Sequence, residues 1–344
     1  MPDCGGLSLK RACLLLFLVL LGALPSVAQS AVDLPQLFAA NTLDQEGKAP
    51  FHVKLEFQLY DLEGKPSEKG TVEEWWASPK LQRIVITAPS FTGVLTDDAT
   101  ALSDQQLREQ ELIKELLAAE LHPMPLYQSF AGLTAHDTKP KDAKAPLRCI
   151  SVGSTDPKAS PSDLSTYCAD PPTNALRLRT DACGDAVSRN TVGTFHDTKV
   201  ALDVQIAYEG KLAITGHMVT MSSFDPATSK VDLSEPDSNR VTQDQIAGTI
   251  TAGGIIKHVD PVYPSIAKAG HIAGGVILHA VISKQGTISQ LAAIASPSRV
   301  LTDAAVPAVS QWIYTPFLRD GNPVEVDTII SVNFMFSSSV SVIE

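Results

Sequence analysis

Between Val324 and Phe336 the chain alternates. Val324, Val326, Thr328, Ile330, Val332, Phe334 and Phe336 are apolar or β-branched, and Glu325, Asp327, Ile329, Ser331, Asn333 and Met335 lie between them. Successive side chains on a strand point to opposite faces, so this run predicts a strand with one face on a core and the other toward water. Val276 to Ile282 is a second β-rich run, and Lys284-Gln285-Gly286-Thr287 after it predicts a hairpin, with Gly286 supplying the positive φ. Ile288 to Ile294 is the return strand. From Leu301 to Ile313 the period changes: Ala305, Val309 and Trp312 fall at i, i+4 and i+7, one face of a helix. Pro307 lacks a backbone donor, so a helix capped by Asp303 is expected to kink or start late. A shorter helix fits Pro264 to Ala269, with Pro at its start and Gly270 just past its end.

The first two thirds of the chain has another texture. Phe51, Val53, Leu55, Phe57 and Leu59 alternate with His52, Lys54, Glu56, Gln58 and Tyr60, and Glu63-Gly64-Lys65-Pro66 turns the chain. Further strands are expected at 71–76, 81–87, 91–96, 146–152, 164–169, 174–179, 200–208 and 212–221. Ser103 and Gln106 form a capping box that opens a helix through Leu107, Ile113, Leu116, Leu117 and Leu121, stopped near Pro123. The fold class is therefore α+β. A larger curved antiparallel sheet with one main helix occupies 29–225, a turn-rich linker fills 226–252, and a small domain of three antiparallel strands and two helices occupies 253–344. Within the linker, Ser234-Glu235-Pro236-Asp237-Ser238-Asn239 is turn chemistry, and Gln243 to Thr249 fits one helical turn.

In the small domain the order Pro-x-Tyr-Pro, x-Gly-x-Val, Gly hairpin, Trp-x-Tyr-x-Pro, Gly-x-Pro-Val resembles the C-terminal domain of TonB, the periplasmic energy transducer of Gram-negative bacteria. The matching positions are Pro261, Tyr263, Pro264, Gly274, Val276, Gly286, Ala305, Trp312, Tyr314, Pro316, Gly321, Pro323 and Val324. Pro264, Gly274, Gly286, Trp312, Tyr314 and Pro316 read as structural within that motif, shaping turns and filling the core. The resemblance implies binding to the N-terminal segment of a TonB-dependent outer-membrane receptor by strand addition, in support of transport. Carried onto this sequence, the contacts fall on Asp260, Pro261 and Tyr263 and on the closing strand at Val326, Thr328, Ile330, Val332 and Phe334. Asp260 departs from the family, whose best-known transducers carry Gln there; a carboxylate cannot donate as an amide does. The family's long Pro/Lys-rich spacer is missing, and so are the Ser and His of its anchor helix. An inner-membrane motor of the ExbB/ExbD type is then a partner only if the N-terminus stays in the membrane. The first domain is similar in strand order to LolA-like lipoprotein carriers, through Gly70-Thr71-Val72-Glu73-Glu74-Trp75-Trp76 after a hairpin. That likeness implies a possible lipid ligand on a concave apolar face, with Trp75 or Trp76 plugging the open end as the plainer role.

The N-terminus sets the compartment. Lys10 and Arg11, the apolar run Ala12 to Leu24 and Ser26-Val27-Ala28 read as a signal peptide cleaved after residue 28, shorter than a spanning helix needs. Export to the periplasm permits disulfides. Cys149 and Cys168, on two strands across one Ser/Pro-rich loop, are expected to pair, leaving Cys183 over. Residues 29–252 carry 20 Lys and Arg against 31 Asp and Glu, while 253–344 carry 5 against 6. An acidic first domain argues against nucleic acid and anionic lipid headgroups as partners.

Catalytic chemistry finds little support. No Gly-x-Ser-x-Gly, His-Glu-x-x-His, Cys-x-x-Cys or phosphate loop occurs. His196-Asp197 reads as a strand-edge pair, and His258, His271 and His279 stand at no ligand spacing. No cofactor or metal is expected. The chain reads as a binding protein and not an enzyme, a TonB-type receptor-binding module. The alternative is a periplasmic lipid or lipoprotein carrier whose small domain serves only assembly.

Overall fold

The computed structural model describes residues 33–95, 103–124, 133–138, 147–154, 165–180, 185–233, 240–242, 250–251, 254–319, 321–335 and 340–343. The signal peptide expected at 1–28, Cys183 and the linker segments 234–239 and 243–249 lie outside the described residues. Helix α1 (Leu34–Asn41) precedes β1 (Phe51–Tyr60), β2 (Pro66–Ser78), β3 (Leu81–Thr87) and β4 (Thr92–Val94). Helix α2 (Asp104–Leu121) follows. Then come β5 (Leu133–Thr138), β6 (Arg148–Ser154), β7 (Ser165–Ala169), β8 (Leu176–Thr180), β9 (Ala186–Phe195), β10 (Thr198–Tyr208) and β11 (Lys211–Ser223). These strands form one curved antiparallel sheet in the order β4-β3-β2-β1-β11-β10-β9-β8-β7-β6-β5, joined where β11 lies on β1.

The alternation of β1 sets the core. Phe51, Val53, Leu55, Phe57 and Leu59 are buried, and Trp76 of β2 stacks on Phe51 with ring centroids 5.3 Å apart. Trp75 takes the opposite face and stacks on His52. Helix α2 is capped by Ser103, with both halves of the capping box made. It lays Leu112, Ile113, Leu116, Leu117 and Leu121 into the same core. Gly216 on β11 makes room for it: a Cβ there would lie 2.6 Å from Leu116. Glu209 and Gly210 join β10 to β11 at positive φ, the two-residue turn whose twist suits a hairpin. Cys149 and Cys168 are directly opposed on β6 and β7 and form the disulfide. His196 and Asp197 are not a strand-edge pair. They form the positive-φ turn between β9 and β10.

The linker contributes β12 (Arg240–Thr242) and β13 (Ile250–Thr251), and the small domain follows through β14 (Ile255–Lys257), α3 (Ser265–Ala269), β15 (Gly274–Ile282), β16 (Ile288–Ala295), α4 (Arg299–Val309), β17 (Ile313–Tyr314), β18 (Leu318–Arg319), β19 (Asn322–Pro323), β20 (Glu325–Phe334) and β21 (Val340–Ile343). β15 pairs antiparallel with both β16 and β20. One face of this sheet carries Val276, Leu278, Ala280, Val326, Ile330, Val332 and Phe334, packed with Leu301, Ala305 and Val309 of α4 and with Trp312. Gly286 is demanded twice over. Its φ is +83°, and a Cβ would fall 1.9 Å from the Tyr314 carbonyl oxygen.

Two expectations are corrected here. Helix α4 does not start late: it begins at Arg299, because the Ser298 carbonyl accepts from Leu301 N and Thr302 N in place of an Asp303 cap. Pro307 therefore lies inside the helix, in its last turn, where a missing N–H disrupts few bonds. The second face of β20 does not look to water along its length. Ile329 packs on the core that α2 lines and Asp327 is buried close to Glu111, because the back of the sheet meets that helix chiefly through β16. Arg108 Nε of α2 donates to the Ile294 carbonyl of β16 at 2.8 Å, and the Glu209 carboxylate accepts from Gly275 N at the start of β15.

Candidate partner-binding site

The residues around Tyr263 form a built corner. Pro264 caps α3 and Gly270 ends it. The Tyr263 hydroxyl donates to the Ile272 carbonyl at 2.8 Å, and its ring meets Phe334 edge-on at 5.4 Å. Lys268 Nζ lies 5.2 Å from the Tyr263 ring centroid, a cation–π contact. Trp312 is buried and donates from Nε1 to the Val259 carbonyl at 2.9 Å, which fixes the segment leading into Asp260. Pro261 is buried, whereas Asp260 is exposed and pairs with His258 at 3.2 Å. Val262 is 80% exposed and Ile266 67%, so the corner offers apolar surface on both sides of Tyr263.

The structure thus brings Tyr263 to Phe334, one end of the closing strand. Val326 stands at the other end, eight residues away, or about 27 Å along a strand. Val326, Ile330, Val332 and Phe334 point into the core and Thr328 is half-buried, so what β20 can present to a partner is backbone. Its outer edge is partly taken. Residues 240–242 pair with 325–327 in parallel, and 340–343 pair with 331–334 antiparallel. Among the described residues, Thr328, Ile329 and Ile330 are the stretch of that edge between the two pairings.

Buried charge concentrates in the first domain. Glu74, Glu120 and Arg189 are all buried, on β2, α2 and β9. Arg189 donates to Asn41 Oδ1 and to the carbonyls of Leu176, Glu120 and Lys199. The Glu120 carboxyl has no hydrogen-bond partner among the described residues. Burial pushes Glu120 up to about 8, with the Arg189 charge opposing. Burial likewise pushes Glu74 up to about 8, with the Asp44 charge adding and His122 opposing. Burial pulls the Arg189 guanidinium down to about 10, with Glu120 opposing. On the apolar face where a lipid could sit, Leu116 and its neighbours on α2 pack with Trp76 in one core, which accords with the plainer role for Trp76.

The motif residues are legible in the sequence from turn and core chemistry. The two short strands on the β20 edge are not, since three or four residues carry no readable period, and neither is the approach of α2 to the small sheet.

Residues 259–336 match the family described as Gram-negative bacterial TonB protein C-terminal. A search of curated proteins finds no match. Among solved structures, the chain is similar to a LolA superfamily protein, NE2245, from Nitrosomonas europaea, at 8% identity and a TM-score of 0.34, covering 57% of this chain and 95% of that one. It is similar to a domain described as outer membrane lipoprotein-sorting from Vibrio parahaemolyticus, at 9% identity and a TM-score of 0.35, covering 58% and 92%. A DUF1329 family protein from Desulfovibrio piger follows at 6% identity and a TM-score of 0.32, covering 54% and 89%.

Proposed function

We propose, from residues 259–336 being a TonB-type C-terminal domain, that this chain is a cell-envelope protein that binds the N-terminal segment of an outer-membrane receptor. Binding is by strand addition to β20, in support of receptor-dependent transport, and no catalytic step is involved. The observation that carries the reading is the orientation of β20. Its side chains at 326, 330, 332 and 334 are committed to the core while its outer edge runs from the Tyr263 corner to the linker. A partner pairing there gains main-chain hydrogen bonds and reads few side chains, which tolerates varied receptor sequences. Val262 and Ile266 would flank the incoming chain near Phe334. The periplasm is the compartment this function requires, and the Cys149–Cys168 disulfide is compatible with it. No helix among the described residues is long and apolar enough to cross a membrane.

Titration of the chain with synthetic peptides from receptor N-termini tests the proposal. Saturable binding that is weakened by changing Tyr263 supports it. Absence of binding to any such peptide at millimolar concentration removes it.

A further inference from the structure

Three side chains from three elements converge where α2 crosses the back of the small sheet. His279 comes from β15, Asp327 from β20 and Glu111 from α2. His279 Nε2 lies 2.6 Å from Asp327 Oδ1 and 3.7 Å from Glu111 Oε1, and one potential ligand atom from each residue lies within 4.8 Å of the others. His279 is 1% exposed and Asp327 8%, with Glu111 half-buried. Two carboxylates and an imidazole thus share a site largely closed to water, where like charges repel more strongly than at a surface. Lys114 Nζ, which donates to Glu111 Oε1 at 2.8 Å, supplies one positive charge.

We propose that Glu111, His279 and Asp327 form a divalent transition-metal site that clasps the small domain to α2. An imidazole nitrogen with two carboxylate oxygens is a zinc-type donor set, not a magnesium or calcium one. Ligand atoms at tetrahedral corners about 2.05 Å from a zinc ion stand roughly 3.4 Å apart. The observed 2.6 and 3.7 Å separations bracket that spacing, so shifts of less than about 1 Å bring the three into place. Lys114, whose side chain is partly exposed, would yield this oxygen to the ion. Water would complete the coordination.

The rival is a hydrogen bond in place of the metal, with His279 Nε2–H donating to Asp327 Oδ1 at 2.6 Å. His279 Nδ1 is buried without a hydrogen-bond partner among the described residues in either case, so it does not separate the two. What does is that a divalent ion brings two charges and bonds all three side chains, whereas the hydrogen bond serves Asp327 alone and leaves Glu111 at 3.7 Å. The site is closed to a substrate, so its role is to fasten. Asp327 also pairs through its backbone with Thr242 of β12, which places the clasp beside the edge where the linker strand lies.

Calorimetric titration of the chelator-washed full chain with zinc chloride alone tests this. One ion is expected to bind per chain with a micromolar or tighter Kd, and zinc is expected to raise the thermal midpoint. E111Q and D327N should each weaken binding by about tenfold or more, in line with losses seen when a metal's supporting groups are removed. E111Q changes a half-buried helix position and should keep the fold, which circular dichroism checks. H217A, at the exposed His217–Asp203 pair, should leave binding unchanged. Cobalt loading should give the visible absorption of a tetrahedral site. No saturable binding by the unmodified chain overturns the proposal, as does full-strength binding by folded E111Q and D327N, or loss in H217A instead. Receptor-peptide binding is a separate readout, so failure here leaves that proposal standing.

Discussion

Replacing Glu120 with Gln should raise stability at pH 8 and flatten its dependence on pH. The carboxyl is fully buried at the end of α2, has no hydrogen-bond partner among the described residues and titrates at about 8, against 4.5 for an ordinary glutamate. Between those values the folded chain holds a proton that the unfolded chain has released. Stability is therefore greatest below pH 4.5 as far as this group is concerned, and it falls as pH rises toward 8. The slope is about 1.4 kcal/mol per pH unit, so the accumulated loss is roughly 3 kcal/mol by pH 7 and 4 by pH 8. Glu74 adds a slope of the same sign. Glutamine removes the ionisation but buries an amide without a partner, costing about 1–2 kcal/mol. The net expectation is little change at pH 5.5 and a gain of about 2–3 kcal/mol at pH 8. Urea unfolding of both proteins at the two pH values, followed by tryptophan fluorescence, reads the difference directly. Equal destabilisation of E120Q at both pH values would refute the reasoning, as would a native protein whose stability is flat from pH 5 to 8.

Gly286→Ala should destabilise the chain by on the order of 3 kcal/mol, since the residue sits at positive φ with the Tyr314 carbonyl in the space of its Cβ; thermal unfolding checks it. Replacing Cys149 and Cys168 together with Ser should lower stability by about 3 kcal/mol, the loop-closure value for residues 19 apart, and reducing agent should then have no further effect on the unfolding midpoint. Gly216→Val should push Leu116 and α2 away from the sheet; a rise in hydrophobic-dye binding with the β-sheet signal kept is the expected result, and an unchanged dye signal would mean the helix does not fill that face.

The alternating strands were legible because one face of each is buried and the other is not. β1 and α2 fall where periodicity and the capping box put them. β9 was missed because Arg189 occupies an inward position, held by four hydrogen bonds, and so breaks the apolar alternation. β5 was missed for another reason: Leu133–Thr138 keeps no buried face. On β20 the polar residues read as a solvent face, yet Asp327 is buried against His279. A polar pair closed between two layers has the same one-letter signature as a wet surface. The motif residues were readable individually, as a turn glycine, a helix-starting proline and core aromatics. Their neighbours on the strand edge were not, since pairings at 240–242 and 340–343 depend on chain return and not on local pattern.

The central claim is that a receptor segment adds as a strand to β20, and hydrogen–deuterium exchange of the full chain with and without a receptor N-terminal peptide tests it most directly. The edge is shared with residues 240–242 and 340–343, so the peptide must take the place of at least one of them. Added protection within 325–334, with protection lost at 240–242 or 340–343, is the predicted result. Binding that leaves exchange across 325–334 unchanged, and alters only another surface such as the outer edge of β16, would contradict it.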